Sequence, residues 1–318
     1  MNNVKYSRYF YKPKKRKKKL ILILLLFFLL IGGAVYSLFF LDASSIASRL
    51  VTTYRLLFND FRFIERNLEE GNYTVVINDG GPLLSKKPYN PRLLRYLGEA
   101  YYYISSNLTG QEKDETLAQA IRLLRKSMVL SEGGTIPRYY FILGMAYFER
   151  GIKYYELAAM YLTDAIKSGY VDKKSYEIIG LCYYRLKAYD SAISYFKKAM
   201  EVSKKDITRL FLASSYKEKG MFESAAKEFD YLIKNTDDDA IREEAFSQSA
   251  WIDFKEERYE DAKKKLIKVL EIDSNSDFAH YLMGNIYEKE GDIISARKEW
   301  RTALRINPKN IDAIKKLY

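Results

Sequence analysis

One cysteine in 318 residues, Cys182, cannot form an internal disulfide, so stability has to come from packing. It also lies far from the amino terminus, which closes the lipoprotein route, where a cysteine must follow an apolar leader directly. A single histidine, His280, all but excludes His-based metal clusters and Ser–His–Asp triads within one chain. Prolines number six and glycines 16, few enough for a mostly helical chain with short turns. No glycine-rich phosphate loop is present; Gly80–Gly81 and Gly133–Gly134 read as turns between helices. The acidic run Asp237–Asp239 lacks the spaced ligands of a calcium loop and reads as a solvated connection. With no catalytic constellation, no cofactor site and no metal site, the chain is expected not to be an enzyme.

Acidic residues are absent from the first 19 positions, which hold nine Lys or Arg between Lys5 and Lys19. Those nine account for much of the net charge of +12; the remaining 44 basic residues face 41 acidic ones, a net of +3. A body so nearly balanced has no obvious stripe for phosphates, so nucleic acid is excluded as a partner. The basic tail runs into Leu20 to Leu41, 22 residues without a charge, long enough for a transmembrane helix and longer than the core of a cleaved signal peptide. Flanking Lys and Arg stay cytoplasmic. The expectation is a single-pass protein of the bacterial inner membrane, amino terminus inside and body in the periplasm. Contact of the tail with anionic headgroups is a second role. From Ala43 to Glu70, apolar residues at Ile46, Leu50, Tyr54, Leu57, Phe61, Ile64 and Leu68 step by three and four, which predicts one long amphipathic helix joining membrane and body.

The body has an internal period. From Asp277 to Pro308, Gly284, Tyr287, Ala296, Trp300, Ala303 and Pro308 follow a Gly-x2-Tyr-x8-Ala-x3-aromatic-x2-Ala-x4-Pro spacing. A glycine lets two helices approach, the alanines are small where the second helix crosses the first, and the proline ends the unit. The pattern resembles the tetratricopeptide repeat, a helix–turn–helix of about 34 residues. Upstream units carry Gly180, Tyr183, Ala192 and Phe196; Ala225 and Phe229; Gly144 and Tyr147; and Gly98 and Tyr101. One unit, Glu243–Ser276, departs at Asp253, where the tyrosine belongs. Two extra residues separate the helices of the Gly144 unit, and ten extra residues around Ser105 to Glu115 predict a longer loop or longer helices. The earliest unit is degenerate. The expected fold is all-α: tail 1–19, transmembrane helix 20–41, amphipathic linker 42–56, an α-solenoid of about seven helix pairs over 57–310, and a capping helix over 311–318.

The resemblance implies that the first helix of each unit lines a concave, protein-binding face. Carried onto this sequence, that face offers Arg95, Tyr102, Tyr103, Phe141, Phe148, Tyr184, Arg185, Trp251, Phe254 and Tyr281, residue types enriched at interfaces. Its partner would be a protein, presented as an extended peptide or a helix. The carboxylate clamp of some family members is absent, since Glu99 stands where its first asparagine belongs. The expected function is a membrane-anchored scaffold for an envelope complex, with a layout similar to the spirochaete periplasmic flagellar collar proteins. The alternatives are a translocon- or chaperone-associated holdase and, more remotely, the recruiting arm of an envelope enzyme.

Overall fold

The computed structural model describes residues 27–33, 35–36, 43–58, 61–131, 134 and 136–317. Among these, no helix is long and apolar enough to cross a membrane. The basic tail and most of the apolar run lie outside the described residues; the exposed helical stretch 27–33 falls inside it.

Helix α1 spans Ala43–Phe58 and α2 spans Arg62–Glu69. The expected continuous linker is therefore broken: Phe61 leaves helical geometry at φ −111, ψ 16 and caps α2. The break follows from burial. Phe61 and Ile64 turn into the body and are fully covered, whereas Leu50 and Tyr54 on α1 stay exposed.

From α2 onward the chain runs in seven consecutive pairs. The first is α2 with α3 (Tyr73–Lys86), then α4 (Pro91–Ser105) with α5 (Gly110–Leu130), and α6 (Pro137–Glu149) with α7 (Tyr155–Lys167). Next come α8 (Ser175–Arg185) with α9 (Tyr189–Val202), and α10 (Asp206–Glu218) with α11 (Phe222–Asn235). The last two are α12 (Asp239–Lys255) with α13 (Tyr259–Ile272), and α14 (Asp277–Lys289) with α15 (Ile293–Ile306). The short α16 (Ile311–Leu317) covers α15. Each helix packs on the next, and the first helix of each pair also touches the first helix of the following pair. First helices therefore form one continuous face of an all-α solenoid.

The turn inside five of the seven pairs repeats one hydrogen-bond device. The N–H of Asn72, Ala188, Met221, Arg258 and Asp292 donates to the carbonyl of Asn67, Tyr183, Tyr216, Asp253 and Tyr287 respectively, at 2.8–2.9 Å. This closure requires a left-handed residue just before the donor. Glycine supplies it at Gly71, Gly220 and Gly291, but Lys187 (φ 60) and Glu257 (φ 63) adopt it with a side chain.

The interior follows the repeat. Ala192, Phe196, Ala225, Phe229, Ala296, Trp300 and Ala303 are all buried on second helices. Opposite them the glycines mark close approach. A Cβ on Gly284 would stand 2.5 Å from Trp300 Nε1, on Gly180 2.7 Å from the Phe196 ring, and on Gly98 and Gly144 2.7 Å from Leu124 and Leu162. Tyr147 is buried; Tyr101, Tyr183 and Tyr287 are half-buried against the same core. Pro308 is exposed two residues beyond the end of α15.

One local expectation is corrected and others take definite form. Gly80 and Gly81 lie inside α3, not in a turn, and Pro82 lies there too. The first pair exchanges the sizes of its partners: Ile64 stands in register with Gly284, and Gly80 with Trp300. A Cβ on Gly80 would meet Leu97 of the next pair at 3.0 Å, so that leucine fills the space an aromatic takes elsewhere. The ten extra residues are absorbed mainly into a 21-residue α5, and the extra pair before α7 forms a 3-10 turn, Ile152–Tyr154. The acidic run is a cap, with Asp238 accepting from the N–H of Ala240 and Ile241. Asp253 is buried and paired with Arg258 and with Lys265 Nζ, the latter at 2.6 Å.

Candidate protein-binding face

The face built by the first helices divides into two parts. In its amino-terminal half the aromatic and charged side chains mostly satisfy one another. Tyr103 stacks on Tyr73 at 4.9 Å and meets Tyr102 edge-on at 5.1 Å. Phe141 lies 5.4 Å from Tyr170, Phe148 5.5 Å from Tyr155, and Tyr184 5.7 Å from Phe211. Tyr102, Phe141 and Phe148 pack on the core cluster around Leu143, and Tyr184 on that around Phe229. Burial and a hydrogen bond to Glu149 push the Tyr102 hydroxyl above its ordinary range. Arg185 is exposed.

Glu99 does not confront the groove as a free carboxylate. It is 1% exposed and pairs with Arg138 of the next unit. Burial raises its pKa, opposed by Arg138 and by a hydrogen bond from Tyr139. Arg95 lays its guanidinium over the Tyr139 ring at 5.5 Å, and its buried Nε has no hydrogen-bond partner among the described residues. This cluster couples two units and leaves the Glu99 carboxylate already paired.

The carboxyl-terminal half also pairs rings, Trp251 with Phe222 and Phe254 with Tyr259 at 5.9 Å, but it holds a hollow. Trp251 and Phe254 on α12 and Tyr281 on α14 border one hollow of about 310 Å³. Phe278, Leu282 and Asn285 complete its α14 wall, and Lys255, Asp277, Asn310 and Asp312 form its polar rim. Asn285 is nearly covered and accepts from Trp300 Nε1 at 3.1 Å. Asp277 Oδ2 accepts from the side-chain amides of Asn307 and Asn310 at 2.9 and 2.8 Å, tying the end of α15 and the start of α16 to α14. Three residues singled out from the repeat register thus share one site, while its rim was not foreseen. Asn310 and Asp312 come from the capping segment, and the only sequence signal was the Asn that precedes Ile311 as an N-cap.

Two other groups have ordinary structural roles. Cys182 is fully buried, and burial pushes its thiol up to about 12, away from reactivity. His280 Nδ1 lies 2.6 Å from Glu299 Oε2 in a half-buried pair. Among the described residues no three His, Cys, Asp or Glu side chains cluster as metal ligands.

Models of the tetratricopeptide repeat match residues 155–203, and of the tetratricopeptide repeat-like domain residues 182–316. The chain is a tetratricopeptide-repeat protein. A TPR repeat-containing protein of Methanocaldococcus jannaschii is 26% identical over 69% of this chain, which spans only 39% of that relative. Among solved structures, the carboxyl-terminal part of a TPR repeat-containing protein from Cytophaga hutchinsonii superposes with a TM-score of 0.58 at 16% identity. That match covers 81% of this chain and all of the other, and confirms the fold. A tetratricopeptide repeat protein from Parabacteroides merdae reaches 0.47 at 18% identity, covering 84% and 97%. Both matching models describe repeats, neither an enzyme family. As a tetratricopeptide-repeat protein the chain is a scaffold for protein–protein interactions.

Proposed function

We propose that this scaffold is membrane-anchored through its amino-terminal apolar run and holds an extended segment of one partner protein along the first-helix face. The segment would be fixed at the hollow beside Trp251, Phe254 and Tyr281. The observation that carries this reading is that hollow: Trp251, Phe254 and Tyr281 border it together, although Trp251 also meets Phe222 and Phe254 meets Tyr259, each at 5.9 Å. A large aromatic or aliphatic side chain fits 310 Å³. The nine cations before an uncharged run of 22 residues support an anchor with the repeats on the far side of a bacterial inner membrane. Assembly of an envelope complex follows from that placement; the flagellar-collar likeness rests on layout alone.

Two measurements test it. A reporter fused after Tyr318 is expected to be active only outside the cytosol, and a cytosolic signal rejects the anchor's orientation. A photo-crosslinker at Tyr281 in the native cell is expected to capture one or two stoichiometric proteins. Many unrelated clients instead would favour a holdase.

A further inference from the structure

The positive charge of the repeat body sits at its carboxyl end. From Ile293 onward seven Lys or Arg face only Glu299 and Asp312, a net of +5. Set against +3 for everything beyond the tail, this leaves residues 20–292 at −2. On α15, Ile294, Lys298, Arg301 and Arg305 recur at steps of four, three and four. At about 100° per residue they fall within about 60° of one another, along roughly 16 Å of helix. They border, with Thr302, a shallow trough of about 350 Å³. All four are exposed, Ile294 at 86%.

The neighbouring acids are committed elsewhere: Glu299 to His280, Glu288 to Lys316, and Asp312 to Lys315 at 3.7 Å. Lys298, Arg301 and Arg305 make no ion pair among the described residues. The stripe faces away from Ala296, Trp300 and Ala303, hence away from the groove. It also stays one helix wide, because the exposed Lys264 and Lys268 on α13 pair with Asp261 and Glu271. A broad anionic plane such as a bilayer would find cations spread over several helices. A single row with an isoleucine at one end matches the ridge of another helix.

We propose that the outer face of the last helix pair docks an acidic amphipathic helix of a partner protein. Asp or Glu at three- and four-residue steps would meet Lys298, Arg301 and Arg305, and an apolar side chain would cover Ile294. The surface is separate from the groove and does not depend on what the groove holds.

The test uses the full chain in neutral phosphatidylcholine nanodiscs and a labelled synthetic helix with a Leu and Glu face, followed by fluorescence anisotropy. Saturable binding is expected, weakening as salt rises, at least tenfold weaker for Arg301→Glu/Arg305→Glu and unchanged for Trp251→Ala. Arg301→Lys/Arg305→Lys, which keeps the charge, is expected to bind within a few-fold of the parent. Absence of saturable binding, or equal binding by the charge-reversed variant, overturns the proposal. So does preferential binding to phosphatidylglycerol vesicles, or self-association that the charge reversal abolishes.

Discussion

Gly81 and Gly284 both lie inside helices, yet the same substitution to alanine is expected to move stability in opposite directions. In a helix interior, alanine is favoured over glycine by about 1 kcal/mol. At Gly81 nothing stands within 4 Å of the added Cβ, so Gly81→Ala should stabilise by most of that amount. At Gly284 the Cβ would stand 2.5 Å from Trp300 Nε1, 2.6 Å from Cδ1 and 3.1 Å from the Ala296 carbonyl oxygen. The backbone cannot move without shifting α15, so the indole must. Overpacking costs about 1–3 kcal/mol, and displacing the indole strains its hydrogen bond to Asn285, worth about 1 kcal/mol. After the helix gain is subtracted, Gly284→Ala should destabilise by about 1–3 kcal/mol. Urea unfolding followed by circular dichroism gives both signs, with tryptophan fluorescence reporting the Trp300 environment. A Gly284→Ala protein as stable as Gly81→Ala, with unchanged fluorescence, would refute the close-packed register.

Arg138→Met leaves the buried Glu99 carboxylate without its cation and should cost about 3 kcal/mol near neutral pH. Because burial raises the Glu99 pKa, that loss should be smallest below the ordinary carboxylate range and grow as pH rises through the raised value. Glu99→Gln should be milder, and its cost should shrink as pH rises through the raised Glu99 value, because only the wild type must ionise a buried carboxyl; melting curves across pH distinguish the two. Lys187→Gly and Glu257→Gly should each stabilise by about 0.5–1 kcal/mol, since both residues hold left-handed turns that glycine holds in sister units. Loss of stability in either would show that the side chain compensates for the strain. Replacing Tyr102, Phe141 and Tyr184 with alanine should lower the melting temperature, because each packs on a core cluster. Tyr281→Ala should instead weaken partner capture with little change in melting.

Part of this protein could be read from residue order alone. Glycine, alanine and aromatic positions at one period announce helix pairs, because a helix crossing tolerates only small side chains where backbones touch. Six of the seven units were legible for that reason. The first pair was obscured because Ile64 and Gly80 exchange the usual sizes, and Leu97 of the next pair fills the space beside Gly80. Gly80–Gly81 looked like a turn since local propensity favours one, but burial of Val76 and Leu83 on either side holds them in α3. Glu99 met its counter-ion only through Arg138, 39 residues away. The groove's open end likewise needed Asn310 and Asp312 to be folded back beside Asp277. Which helices form is settled by short-range periodicity; which faces are filled and which remain open depends on contacts between units, and those exist only once the units have stacked.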